Sequence, residues 1–218
     1  MGNKIGKDFL QKLWKNSLLP MEGAASQAYF KVQVLVTFLR MNQKPVHLET
    51  TLPEGYRVER LETPNIDYYK YLYKSVGKGY CWWMRLACDD HTLKAILHNP
   101  AVELYVLFHH TRPAGFFELE RCHGNDVNLS YFGLFPHYIG KGIGFACLSQ
   151  AILHAWKHDP RYLLVNTCTA DHPRALPLYK KAGFVPYRAL LEEWSIPSHL
   201  DIKIPAQLLD EAQMDNKE

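Results

Sequence analysis

The 218-residue chain has only five cysteines, Cys81, Cys88, Cys122, Cys147 and Cys168, and no two of them form a C-x-x-C pair. That spacing excludes the usual zinc and dithiol motifs and points to reduced thiols. No stretch reaches the ~18 uninterrupted apolar residues of a membrane-spanning helix, and the N-terminus lacks an apolar signal core with a cleavage site. A soluble, cytoplasmic protein without integral membrane association is therefore expected. Position six is Gly6 and not Ser or Thr, which excludes an N-myristoylation signal at Gly2. A large excess of charge of one sign is lacking as well. The formal net charge is +3, and no run of Lys and Arg interleaves with aromatics, so a nucleic-acid partner is not expected. Internal repeats and low-complexity segments are also missing.

What the chain does have is centred on Asn128 to Trp156, NLSYFGLFPHYIGKGIGFACLSQAILHAW. Alternation in its first part predicts a central strand over Asn128 to Phe135, with Leu129, Tyr131 and Gly133 on one face and Ser130, Phe132 and Leu134 on the other. Pro136 cannot donate to a ladder and ends the pairing. Gly140, Gly142 and Gly144 allow turns that side chains would block. Leu148, Ala151, Ile152 and Ala155 then recur at helical spacing, so a helix N-terminus presents free N–H groups beside Lys141, and an anion suits that end. The glycine spacing fits neither G-x-x-x-x-G-K-[ST] nor G-x-G-x-x-G/A, which excludes both nucleotide-binding turns.

Around this centre the length suits one domain with an extension. Residues 6–19 read as a short amphipathic helix, with Phe9, Leu13 and Trp14 near one face, that either packs on the domain or meets a membrane or partner groove. Tyr29 to Arg40 reads as a strand before the domain proper, and Pro45 to Pro53 as a linker. Further strands are expected at Tyr56 to Leu61, Val102 to Phe108, Ala114 to Arg121 and Tyr162 to Thr169, with the last strands beginning at Phe184. Helices are expected after Pro64, after Asp89 or Asp90, and over Pro173 to Ala182. The expected divisions are an extension over residues 1–28, a domain over 29–205 with its core at 54–195, and a frayed tail over 206–218.

The turn Ile139-Gly140-Lys141-Gly142-Ile143-Gly144 resembles the acyl-CoA pyrophosphate loop of the GNAT superfamily of N-acetyltransferases, [QR]-x-x-G-x-[GA]. Ile139 departs from that pattern, so binding there rests on backbone amides and Lys141. A second stretch resembles the family motif N-x-x-A-x-x-x-Y-x-x-x-G-F, filled by His172, Ala175, Tyr179, Gly183 and Phe184, with His172 where Asn is commoner. WW-x-R, AGFFEL, YFGL-x-P and HP-x-A-x-x-L-Y further resemble a bacterial subgroup. The resemblance implies an α+β fold, a mixed central sheet splayed open and flanked by helices, with acyl-CoA in the splay. It also implies that the backbone of Phe132 and Leu134 pairs with the pantetheine arm, that the amides from Ile139 to Gly144 hold the pyrophosphate, and that His172 borders the cofactor.

The implied reaction is transfer of an acyl group, most often acetyl from acetyl-CoA, to a primary amine by direct attack. It needs a base for the ammonium proton, donors for the oxyanion and an acid for the thiolate. The resemblance puts Tyr179 in the acid role; core packing at helical spacing is the alternative. The base position of many relatives holds Asn128 here, and an amide cannot accept a proton. Glu118, a carboxylate among apolar neighbours, is the candidate base, with binding of the acceptor's ammonium, a solvated strand face or a water chain as alternatives. Tyr80, Trp82 and Trp83 are expected to wall the acceptor pocket or to pack in the core. His154 and His158 lack a third ligand nearby in sequence, so no metal is expected. Two other functions remain open: a catalytically silent acyl-CoA-binding module, and a transferase of a longer acyl chain.

Overall fold

A computed structural model describes residues 28–48, 51–200, 202–205 and 208. The amphipathic helix expected over residues 6–19 and the tail from Asp210 lie outside the described residues. The longest alternating stretch, YFKVQVLVTFLRM, forms strand β1 (Tyr29–Met41). Val32, Val34 and Val36 are buried on one face while Lys31, Gln33 and Leu35 are exposed on the other, as a period of two dictates.

The chain continues through β2 (Tyr56–Leu61), α1 (Ile66–Gly77), α2 (Met84–Ala87) and α3 (Asp90–Leu97). Asn65 caps α1 by accepting from the Tyr68 amide, and Asp89 caps α3 by accepting from the Thr92 amide at 2.7 Å. Strands β3 (Val102–His109), β4 (Arg112–Cys122) and β5 (Asp126–Leu134) form a meander, followed by α4 (Ile143–Ala155), β6 (Leu163–Cys168), α5 (Ala175–Lys181) and β7 (Val185–Pro197). The seven strands form one mixed sheet in the order β2-β3-β4-β5-β6-β1-β7. Among the described residues only β5 and β6 pair in parallel, because α4 carries the chain back between them.

Two features depart from the sequence reading. In space β1 does not precede the domain. It lies inside the sheet, antiparallel to β6 from Val36↔Cys168 to Met41↔Leu163 and to β7 from Tyr29↔Pro197 to Arg40↔Val185. Such long-range pairing leaves no local trace in the sequence. The second feature is a bulge: Glu118 pairs with Tyr131 but Leu119 pairs with Leu129, so Ser130 is an extra residue in β5. The bulge reverses the alternation. Leu129 and Leu134 pack in the cluster with Leu148, Ala151 and Ile152 of α4, whereas Tyr131 packs with Tyr69, Tyr73 and Val76 of α1. Leu129 and Tyr131 thus face opposite sides of the sheet, not the same side as strict alternation predicts.

Membership of β1 in the core has a measurable consequence. Leu39 is fully buried among residues that also include Val165 and Leu163 of β6. Leu39→Ala should cost about 2–5 kcal/mol, the range for a buried leucine cut back to alanine. Urea denaturation measures it, and a cost below about 0.5 kcal/mol, typical of surface positions, would show that β1 is an accessory strand.

Candidate active site

The bulge at Ser130 sits where the sheet opens. β5 pairs with β4 along its whole length but with β6 only over Val127–Leu163, Asn128–Leu164 and Leu129–Val165. Beyond that the two parallel strands diverge, and backbone groups of β5 on the β6 side lose their partner strand. A cavity of ≈ 700 Å³ occupies the gap, walled by β5 from Asn128 to Leu134, by Asn166 and Cys168 of β6, and by α5.

At one end stands the glycine turn. After the 3-10 turn Pro136–Tyr138, Gly140 and Gly142 adopt φ of 81° and 82°, where a side chain would be strained, and Gly142 begins α4 without any side-chain cap. The first amides of α4 thus have no capping acceptor, and they sit at the positive end of a thirteen-residue helix. Phe132, Leu134, Ile139, Gly140, Gly142 and Gly144 all line the cavity. Lys141 does not line it; its exposed ammonium lies 5.5 Å from the centre of the Tyr138 ring. Ile143 is buried in the core, so it can offer only its backbone.

The opposite wall is α5. Tyr179 is buried against Phe132 and Phe184, yet it lines the cavity, and its hydroxyl makes no hydrogen bond among the described residues. Burial first, and then the nearby Asp171 charge, push this phenol far above its ordinary range, so it stays protonated. His172 also lines the cavity, where its Nδ1 accepts from the Arg174 amide at 3.1 Å, which fixes the start of α5.

Asp171 is the group that sequence reasoning missed. It closes the turn after β6, its Oδ2 accepting from the Thr167 hydroxyl at 2.7 Å and the Cys168 amide at 2.9 Å. Its Oδ1 faces the Trp82 indole N–H at 3.4 Å. The carboxylate lines the cavity, and burial raises its pKa above the ordinary carboxylate value. In sequence the residue looks like plain turn chemistry, and its only signal is its place just before His172 in the second motif.

A strand pair that parts beside a glycine turn and a buried tyrosine has a counterpart among known proteins. Residues 59–184 match the model of the acetyltransferase (GNAT) family. The chain belongs to the GNAT acetyltransferase family. No curated protein matches the sequence. Among solved structures the fold is similar to a GCN5-related N-acetyltransferase from Sphaerobacter thermophilus (TM-score 0.54, 16% identity, 88% of this chain and 57% of that one). It is also similar to a GNAT-family protein from Novosphingobium aromaticivorans (TM-score 0.55, 16% identity, 82% and 71%). A third likeness is to a tandem GNAT protein from the clavulanic acid biosynthesis pathway (TM-score 0.57, 13% identity, 78% and 55%). The chain thus spans little more than half the length of two of these three.

At the far end of the cavity this GNAT domain is aromatic. Tyr80, Trp82 and Trp83 all line it. Trp82 packs against Tyr73, Phe116 and Tyr131, while Trp83 is 2% exposed and shares a core cluster with Val32, Val34 and Ile196. Trp83 therefore packs in the core and borders the cavity at the same time. Gly133 is required here by close approach, since a Cβ would lie 2.2 Å from Val76.

Glu118 is placed differently from its expected role as base. Its carboxylate is fully buried and is not part of the cavity wall. Oε1 accepts from Nη2 of Arg85 and Oε2 accepts from the Tyr69 hydroxyl at 2.7 Å, so both oxygens are engaged. Regular alternation along β4 puts Glu118 on the same side of the sheet as Phe116, facing α1, whose Tyr69 supplies the donor. Arg85 itself is 5% exposed and does line the cavity. A buried pair of this kind is destabilised strongly when one partner is removed, because the other charge is left uncompensated. Glu118→Ala should therefore cost about 3–5 kcal/mol in chemical denaturation; a cost under about 1 kcal/mol would mean that Glu118 is solvated.

Proposed function

We propose that the protein transfers an acetyl group from acetyl-CoA to a primary amine by direct attack within a ternary complex. The observation that carries this reading is the split between β5 and β6 with Tyr179 on one wall and the uncapped N-terminus of α4 at the end. The pyrophosphate suits the amides from Ile139 to Gly144, where a helix terminus supplies donors without charged side chains. The pantetheine arm, itself a chain of amides, suits the backbone of Phe132 and Leu134 where β5 lacks its neighbour. His172 borders the same wall. A reducing, cytoplasmic setting agrees with five unpaired cysteines. No helix among the described residues is long and apolar enough to cross a membrane, and they contain no group of three metal-ligating side chains.

In the reaction the amine lone pair attacks the thioester carbonyl, the C–S bond breaks and the thiolate leaves. Tyr179 meets that thiolate as donor, because burial keeps its phenol protonated. The base role passes from Glu118 to Asp171, which borders the cavity and whose raised pKa brings a carboxylate nearer to the working pH of a proton acceptor. Glu118 holds Arg85 in place instead.

Each role has its own kinetic signature. Tyr179→Phe should lower the rate of acetyl transfer by about 10²–10⁴-fold while acetyl-CoA binding stays near wild type. Asp171→Asn keeps an oxygen for Thr167 and Cys168, so it should fold. It should lose turnover by a comparable factor, together with the acidic limb of kcat/KM against pH. Wild-type activity should rise with pH as Asp171 loses its proton, with a midpoint above the ordinary carboxylate value. An unchanged transfer rate in either variant removes that residue from the mechanism, and an Asn variant that keeps the acidic limb assigns the limb to another group.

A further inference from the structure

Arg85 enters the acceptor end of the cavity with part of its hydrogen-bonding capacity unused. The short helix α2 turns Met84 out, at 44% exposed, and Arg85 in. Its guanidinium is fixed on three sides: Nη2 donates to Glu118, Nε donates to the Tyr69 hydroxyl at 3.3 Å, and Cζ lies 5.3 Å from the centre of the Tyr131 ring. The Tyr73 hydroxyl accepts from the Arg85 amide at 3.4 Å, which holds the backbone as well. A guanidinium has five N–H donors. Nη1 makes no hydrogen bond to the described residues, although the side chain is almost wholly buried and lines the cavity. A donor held this firmly at the cavity wall, with no protein acceptor of its own, is already oriented for an acceptor that enters the cavity.

The surrounding charge decides what that is. Glu118 already matches the Arg85 charge, and the other charged side chains of the wall, Asp89, Asp171 and Arg174, leave an excess of one carboxylate. A carboxylate on the acceptor would therefore meet a net negative surface, whereas a neutral carbonyl oxygen takes the free donor without that repulsion. The faces of Tyr73, Tyr131 and Trp82 form the adjoining wall, and they suit an apolar or aromatic substituent.

We propose that Arg85 is a specificity-determining residue that receives a neutral carbonyl oxygen of the acceptor, so that the preferred acceptor is an α-amino amide with an apolar side chain. The inference rests on the reading of this cavity as an acetyltransferase site. The chemistry is common to an amino-acid amide and to a peptide N-terminus.

The test compares four acceptors of one shape with acetyl-CoA: phenylalaninamide, a dipeptide amide beginning with phenylalanine, free phenylalanine, and 2-phenylethylamine, which lacks the carbonyl. Wild type should prefer the two amides over 2-phenylethylamine by about tenfold or more in kcat/KM, the fold-change of one hydrogen bond to a charged group. Free phenylalanine should be poorer than its amide. If only one amide is preferred, it identifies the source. Arg85→Ala would leave Glu118 uncompensated and can unfold, so the double variant R85M/E118Q, which removes both charges, carries the comparison. With acetyl-CoA binding confirmed by calorimetry, its amide-to-amine ratio should fall toward one. Equal kcat/KM for amide and amine in wild type, a ratio unchanged in the double variant, or free phenylalanine as the best acceptor would each overturn the assignment. Should wild type acetylate none of the four, the transferase reading fails for these acceptors. Calorimetry of phenylalaninamide and 2-phenylethylamine against the CoA-loaded protein then judges Arg85 separately, and equal affinity would overturn its role.

Discussion

Two parallel strands that pair for three residues and then part leave backbone N–H and C=O groups with no partner in the sheet, and such groups are costly to bury unsatisfied. Strands β5 and β6 stand in this relation, and the other features of the site follow from it. The bulge at Ser130 directs Tyr131 to one side of the sheet and Leu129 to the other, so the cavity gains a polar aromatic wall without losing its packing against α4. Pro136 ends the strand just past the opening, and Gly140 and Gly142 turn the chain so that the start of α4, at Gly142 and Gly144, borders the same space. A ligand with an extended amide arm and an anionic end answers both demands together.

The sheet tolerates this opening because β1 stabilises its far side. Between β6 and β7 it supplies a full row of antiparallel pairs, and its valines share a core cluster with Trp83 and Ile196. Trp83 joins that cluster to the cavity wall. On the other flank the ion pair of Arg85 and Glu118 and the hydroxyl of Tyr69 bind α2, β4 and α1 together. Burying such a pair yields little net stability compared with apolar packing, but it fixes the orientation of a guanidinium at the edge of the site.

Much of this was legible in the residues. Period-two alternation located the strands to within two or three positions, Pro64 and the Asp89–Asp90 pair marked helix starts, and the residues picked out by glycine and tyrosine spacing, Gly140, Gly142 and Tyr179 among them, line the cavity. Local patterns did not reveal pairing over long sequence distances. Nothing near Tyr29 to Met41 shows that its partners lie beyond residue 160, and nothing near Ser130 shows that its opposite strand is one residue short. From that unseen bulge came the misplacing of Tyr131, whereas the expectation for Glu118 had another source. Apolar neighbours suggested an isolated carboxylate, whereas Arg85 and Tyr69, 33 and 49 positions earlier, occupy both of its oxygens. Asp171 escaped notice for the opposite reason: its hydrogen bonds to Thr167 and Cys168 are those of an ordinary turn.

The central claim is that the split in the sheet and the adjoining glycine turn together hold acetyl-CoA through backbone groups. Backbone amide shifts of ¹⁵N-labelled protein titrated with acetyl-CoA test it residue by residue. The account predicts saturable perturbations at Phe132, at Leu134 and at the amides from Ile139 to Gly144, with little change along β2, β3 and the outer part of β7. Saturable binding that moves none of those amides, or a titration that moves nothing at all, would contradict it.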